Sequence, residues 1–152
     1  MSDDVQKKIQ EIIKNVEEAK KLTVKVGLPS DVAARAVYEE GKTILEVGAQ
    51  HEYGTDEVPQ RSFLRNSFFV KREEVKKILK KQFNKIVEKG ADPKTSMELA
   101  GVQLQSIVQE AFTTKGFGAW PELSQRTIEE KGSSQILIDT GTLRSSITYR
   151  VQ

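Results

Sequence analysis

The sequence predicts an α+β fold, a small antiparallel sheet packed against long amphipathic helices. Three observations predict it. Apolar residues recur at helical spacing in residues 4 to 20, 62 to 89 and 95 to 114. Short alternating segments with the period of a strand lie near both ends, at 22 to 28 and 147 to 151. At 152 residues, with 37% hydrophobic and 30% charged side chains, the chain is long enough for one domain with a real core, so residues 1 to 152 are expected to form a single domain.

The elements follow in order. Val5, Ile9, Ile12, Ile13 and Val16 form one helical stripe, with Ser2 or Asp3 available to cap the first turn. "LTVKVGLP" (22 to 29) alternates Leu22, Val24, Val26 and Leu28 against polar or small residues and is ended by Pro29. Residues 30 to 42 carry no clear period and read as a mobile loop. Thr43 and Glu46 have capping-box spacing, which starts a short helix to about Glu52 that stops at Gly54. Pro59 then fixes an extended entry into the longest helix, 62 to 89, whose stripe is Val75, Ile78, Leu79, Phe83, Ile86 and Val87 and which Gly90 closes. A further helix is predicted from a capping box at Thr95 and Glu98 to about Thr114, with Met97, Ala100, Leu104, Ile107, Val108 and Ala111 inward. "KGFGAWPELS" (115 to 124) has loop punctuation, and Ser124 caps a short helix ending at Gly132. "QILID" reads as a short strand, "TGTLR" as a turn, and the closing alternation of Ile147, Tyr149 and Val151 as a strand expected to pair with 22 to 28, since an open edge at a terminus is a liability.

Composition narrows the function classes. No apolar run approaches the roughly 18 residues of a membrane span, and the first 20 residues are polar where a signal peptide needs an apolar stretch. A protein made in a cytoplasm, without membrane contact, is expected. With no cysteine and one histidine, His51, thiolate and multi-histidine metal sites are excluded, and no cofactor is expected. The net charge of +2 conceals an asymmetry: residues 61 to 89 hold ten basic and three acidic side chains, and the remainder 14 basic and 19 acidic. One basic element therefore sits on a mildly acidic body.

"ILIDTGTLR" (136 to 144) contains an Asp-Thr-Gly triplet like that of aspartic proteases. Those enzymes oppose two such carboxylates, which share a proton because like charges so close cannot both ionise. This chain has one triplet, and only 11 residues follow Gly141, too few for the flap and second loop a homodimeric protease needs. Asp139, Thr140 and Gly141 are read instead as a structural turn, with the Asp139 carboxylate accepting from the amides of 141 and 142. His51 beside Glu52 lacks the second histidine of a zinc-protease helix, and no nucleophile elbow, phosphate loop or dinucleotide fingerprint is present. The expectation is that the chain is not an enzyme and has no catalytic, metal or cofactor residues.

Two separated stretches point to a family. "HEYGTDEVPQRSFLRNSF" (51 to 68) resembles the aromatic-Gly-Thr, Pro-x-Arg-x-Phe-Leu-Arg signature of small virion morphogenesis proteins of tailed bacteriophages, and "WPELSQRTIEEKGSSQILIDTGTLRSSITYRV" (120 to 151) resembles the segment that ends the core of the same proteins. These are neck and tail-completion proteins, including a Mu-like group. The segments cover about a third of the chain in the family's order; Gln60 and Ser62 stand where the family usually has Ala and Pro.

The resemblance implies a curved sheet carrying long helices and a structural role: a homo-oligomeric ring, sixfold or twelvefold, in the head-to-tail connector. Such a ring contacts head-closure or connector proteins on one side and the tail terminator or tail tube on the other, and is assembled in the host cytoplasm. Candidate interface residues are Tyr53, Gly54, Arg61, Phe63, Leu64, Arg65 and Arg144, although Phe63 and Leu64 equally suit the core of the helix after them. Lys77, Lys80, Lys81 and Lys85 form a basic face that suits a solvated surface, an acidic partner or a DNA path. The alternative reading is a small nucleic-acid-binding module using the basic helix of residues 71 to 89.

Overall fold

Strands from the two ends of the chain pair as the alternation predicts. The computed structural model describes residues 2–34, 38, 41–132 and 141–152. Within it, β1 (Val24–Gly27) runs antiparallel to β2 (Thr148–Val151) as a two-stranded sheet. Thr23 and Gln152 exchange both backbone hydrogen bonds, at 2.6 and 3.0 Å, a register that sets Val24 opposite Val151. The other elements are helices: α1 (Asp3–Ala19), α2 (Ser30–Ala33), α3 (Ile44–Tyr53), α4 (Arg65–Val70), α5 (Arg72–Lys89), α6 (Pro93–Thr113), α7 (Gln125–Lys131) and α8 (Thr142–Ser146). The fold is mostly helical and α+β, with the sheet packed on α6. Its contacts gather into two compact units, residues 1–26, 72–104 and 149–152, and residues 27–71 and 105–148.

In the first unit α1 packs on α5. Ser2 takes the N-cap position of α1 with extended backbone, but its hydroxyl makes no capping bond; its carbonyl receives the amides of Val5 and Gln6, and Asp3 and Asp4 supply the negative charge that the helix N-terminus favours. Ala19, Ile86 and Met97 form the core, joined by Leu22, Val24 and Val151. At Gly101 the ring of Tyr149 lies where a β-carbon would stand, so a glycine in mid-helix lets β2 reach α6. The predicted stripe of α1 is only partly covered: Ile12 and Val16 are half-buried, and Val5, Ile9 and Ile13 are exposed.

Several boundaries differ from the sequence reading. The predicted helix 62–89 is two helices, broken at Lys71 (φ −94°, ψ 20°), whose ammonium bonds Glu110 at 3.2 Å and lies over the Phe117 ring; side-chain contacts override an uninterrupted helical pattern. The start of α6 uses Asp92 rather than the Thr95 capping box: its Oδ2 accepts from the Thr95 amide at 2.8 Å, ahead of Pro93 at the first helical position. The stretch expected as a loop from residue 30 opens with α2, which buries Ala33. Of the predicted turn, Gly141 is the N-cap of α8 in the left-handed region (φ 64°), and Thr142, Leu143 and Arg144 are helical. The predicted strand "QILID" lies outside the described residues.

The other signals are realised as read. Thr43 and Glu46 form a complete capping box on α3, Ser124 caps α7, and Gly132 ends α7 left-handed. Every α6 residue predicted inward is buried. No described helix is long and apolar enough to cross a membrane.

One defect in the first unit is open to test. Gln82 on α5 is buried, and its side-chain oxygen has no hydrogen-bond partner among the described residues. An unsatisfied buried acceptor costs on the order of 1–3 kcal/mol. Gln82→Met, which keeps the volume and removes the polar atoms, is expected to raise stability by about 1 kcal/mol, read as a higher urea midpoint with unchanged slope.

Candidate functional site

The segment 51–68 that carries the first half of the family resemblance is a loop closed on itself by one carboxylate. Glu52, in the last turn of α3, is buried, at 4% exposure. Its Oε2 accepts from the backbone amides of Phe63 and Leu64 at 2.8 and 2.9 Å; its Oε1 accepts from the Arg65 amide at 3.1 Å, the Ser62 hydroxyl at 2.8 Å and Arg65 Nε at 2.9 Å. The Asn66 amide donates to the Ser62 hydroxyl at 3.2 Å. Four consecutive amides at the start of α4 are thereby satisfied, although the N-cap position holds Leu64, which cannot cap. Burial pushes the Glu52 pKa upward, but the amides of Leu64 and Arg65 and the side chains of Ser62 and Arg65 outweigh it, so the group sits below its ordinary value of 4.5.

The backbone around Glu52 is tied as well. Its carbonyl accepts from Gln60 Nε2 at 3.1 Å and Arg65 Nη2 at 2.9 Å, and the Arg61 amide donates to the His51 carbonyl at 2.7 Å. Gly54 takes φ 76° and ψ 164°, an extended mirror region essentially confined to glycine, and a β-carbon there would press on the Gln60 backbone. Gln60 and Ser62 thus help hold the loop with hydrogen bonds.

The predicted interface residues divide. Tyr53 is exposed, with the Arg65 guanidinium 4.6 Å over its ring; Arg65 is exposed beyond its bond to Glu52; Leu64 and Arg144 are half-buried. Phe63 and Arg61 are buried, Phe63 as its core alternative has it. Phe63 is fully buried, stacked at 5.4 Å on Phe112, which meets Trp120 edge-on at 5.7 Å. Arg61 is buried, with Nε and Nη2 both bonding the Pro121 carbonyl at 3.3 Å, and burial lowers its pKa. Both belong to the interior because aromatic area and a long cationic stem are the parts of this loop that can be packed. Asp139 and Thr140 lie outside the described residues. Lys77, Lys80 and Lys81 are exposed and Lys85 is half-buried, all on α5 in the first unit.

Trp120 begins the second resemblance segment, and its indole Nε1 donates to the Ser62 carbonyl at 3.1 Å. The chain reaches it through four successive residues with positive φ, Lys115, Gly116, Phe117 and Gly118. Gly116 is obligatory there, since a β-carbon would overlap the Trp120 indole. The Asn66 side chain caps the turn by donating to the Gly116 carbonyl at 3.2 Å. Gln60, Ser62, Arg65, Asn66, Phe69 and Trp120 line an open depression of about 440 Å³, with Phe69 on its rim the most exposed large apolar side chain among the described residues, at 79%.

The chain matches no protein-family model, no curated protein and no solved structure. Among the described residues no three His, Cys, Asp or Glu side chains converge as metal ligands. What the second unit presents is a rigid loop with an apolar and cationic rim.

Glu52 is the residue that sequence reasoning missed. Its signal was present: an acid two residues before a glycine, followed by a helix start whose N-cap residue, Leu64, cannot cap.

Two substitutions test this architecture. Glu52→Gln is expected to cost about 3 kcal/mol at pH 7, the scale of breaking a buried charged hydrogen-bond network. Because the folded pKa lies below 4.5, this contribution is present above about pH 4.5 and disappears as pH falls through the folded value. Urea titrations of both proteins from pH 7 to 2 are expected to converge at the acid end. Gly116→Ala combines a positive φ with overlap on Trp120 and is expected to lower stability by about 2–4 kcal/mol, with red-shifted tryptophan fluorescence.

Proposed function

We propose that this chain is a structural protein of a tailed-bacteriophage virion, a subunit of the neck or tail-completion ring at the head-to-tail junction. The observation that carries the reading is the docking of the two resemblance segments on each other. Arg61 bonds the Pro121 carbonyl, Trp120 bonds the Ser62 carbonyl, and Phe63, Phe112 and Trp120 stack between them. Stretches some 50 residues apart that share a family signature are expected to do so because they build one feature. That feature leaves Tyr53, Arg65 and Phe69 on the outside, residue types that dominate protein interfaces.

In this reading the protein does no chemistry. Copies touch one another around a ring, sixfold or twelvefold, with a head-closure or connector protein on one face and the tail terminator or tail tube on the other, after synthesis in the bacterial cytoplasm. A rigid rim suits this work, since contacts made by a preorganised loop lose little to ordering. The exposed stripe of Val5, Ile9 and Ile13 is further apolar surface of the kind that subunit contact covers.

Electron microscopy of virions carrying an affinity-tagged copy is expected to place the tag at the head–tail junction, and virions lacking the chain are expected to accumulate as separate heads and tails. Joined particles without the chain would refute the reading. Phe69→Ser is expected to weaken incorporation by at least about 2 kcal/mol per contact while shifting the urea midpoint of the isolated chain by less than about 0.5 kcal/mol.

A further inference from the structure

We infer that the outer face of α5 is a sequence-independent binding site for the phosphate backbone of double-stranded nucleic acid. Lys77, Lys80, Lys81, Lys85 and Lys89 lie on this helix over about 18 Å, at 1.5 Å per residue, and border a shallow groove of about 400 Å³ together with Asn84 and Glu88. None of the five ammonium groups makes an ion pair or hydrogen bond with any described residue, whereas that of Lys76 on the same helix is paired with Glu73 at 2.8 Å. Lys77, Lys81 and Lys85 recur every four residues, so their ammonium groups form a ridge with a repeat of about 6 Å.

Charge and side-chain type select the ligand. Five cations against the single Glu88 in the groove make a local excess of positive charge that calls for a polyanion. The groove contains lysines and no arginine, hence flexible point charges suited to phosphates rather than planar forks for carboxylates or base edges. It contains no aromatic residue, so it lacks the stacking platform that single strands require. Lysine is also depleted from protein–protein interface cores, which argues against an acidic protein as the occupant. A duplex, with one charge per roughly 1.7 Å of axis, offers phosphates along the whole ridge. The inference rests on α5 alone and is independent of the proposed role in the virion neck.

The test is fluorescence anisotropy of the full chain with two labelled 30-base-pair duplexes of unrelated sequence, a labelled oligo-dT strand and labelled polyglutamate, between 50 and 200 mM salt. Both duplexes are expected to bind equally. With about four phosphates neutralised, the slope of log affinity against log salt is expected near −3.6, a loss on the order of 10²-fold across this range. Lys77→Gln with Lys81→Gln is expected to reduce the slope magnitude by about 2, and Lys77→Glu, Lys81→Glu and Lys85→Glu together to weaken duplex binding at least tenfold at 50 mM salt with an unchanged circular dichroism spectrum. Lys7→Glu, Lys8→Glu and Lys14→Glu on α1 make the same change in net charge and are expected to weaken binding clearly less than the α5 triple, as the field of a charge falls off over roughly 14 Å at 50 mM salt. Absence of duplex binding at 50 mM salt, an equal loss from the α1 substitutions, or tighter binding of oligo-dT or polyglutamate than of duplex would each overturn the inference.

Discussion

A single buried carboxylate organises the second unit. Helix α4 starts at a leucine that cannot cap it, in a loop with no regular secondary structure, and the amides of 63, 64 and 65 would be left without partners in the interior. Glu52, delivered by the last turn of α3, takes all three and adds the Ser62 hydroxyl and Arg65 Nε. Its position there is itself set by the capping box at the other end of α3, which fixes where that helix begins. Without the carboxylate, several buried donors would be orphaned together, and the loop between Gly54 and Leu64 would lose the element that sets its path. A charge is suited to this work because hydrogen bonds to an ionised acceptor are about twice as strong as neutral ones, and here five donors offset the cost of burial.

The path fixed by Glu52 brings Phe63 to Phe112 and offers the Ser62 carbonyl to Trp120. Reaching that position requires the chain after α6 to turn left-handed through residues 115 to 118, which costs on the order of 1–2 kcal/mol for each non-glycine residue. Two of the four are lysine and phenylalanine. The strain persists because the packing it permits is extensive: a buried tryptophan with its indole hydrogen-bonded, an aromatic stack, and the Asn66 bond that ties α4 to the turn. The candidate rim and the aromatic core are therefore two sides of one piece of packing, and Phe63 and Arg61 could not serve both.

What was legible in the sequence is what local physics determines. The strand pair, the inward face of α6, the caps at Thr43 and Ser124 and the stop at Gly132 are signalled by period or by a side chain within four residues of the amide it serves. What was not legible depends on partners distant in sequence. The pattern from 62 to 89 is helical without interruption, yet Lys71 leaves the helix where its ammonium meets Glu110 and Phe117, some 40 residues away. Glu52 looked like half of a failed histidine–glutamate motif because its partners come ten to thirteen residues later, a separation that neither a helical nor a strand period reveals. The same limit made Arg61 look like a surface anchor and left Phe63 open between core and interface: an Arg-x-Phe pair beside a proline says that something is gripped, but not that the thing gripped is the chain's own Pro121 carbonyl and Phe112 ring.

The charges of this protein act in two physical regimes, and that separates stability from recognition. Glu52 has been taken out of water and is held by fixed donors, so its energy is local, insensitive to salt and inseparable from folding. The groove lysines of α5, Lys77, Lys80, Lys81, Lys85 and Lys89, keep their ammonium groups unpaired among the described residues; they contribute little to the folded state, because exposed charges without partners gain almost nothing from it, yet their field extends about 8–10 Å into solution at ordinary salt. Substitutions at the first kind of group move the unfolding curve, and substitutions at the second move an encounter rate or an affinity while leaving that curve in place. The lysine ridge of α5 is therefore a surface property free to be set by whatever the protein meets, whereas one acid in the sequence "HEYG" carries a structural obligation that the rest of its unit cannot take over.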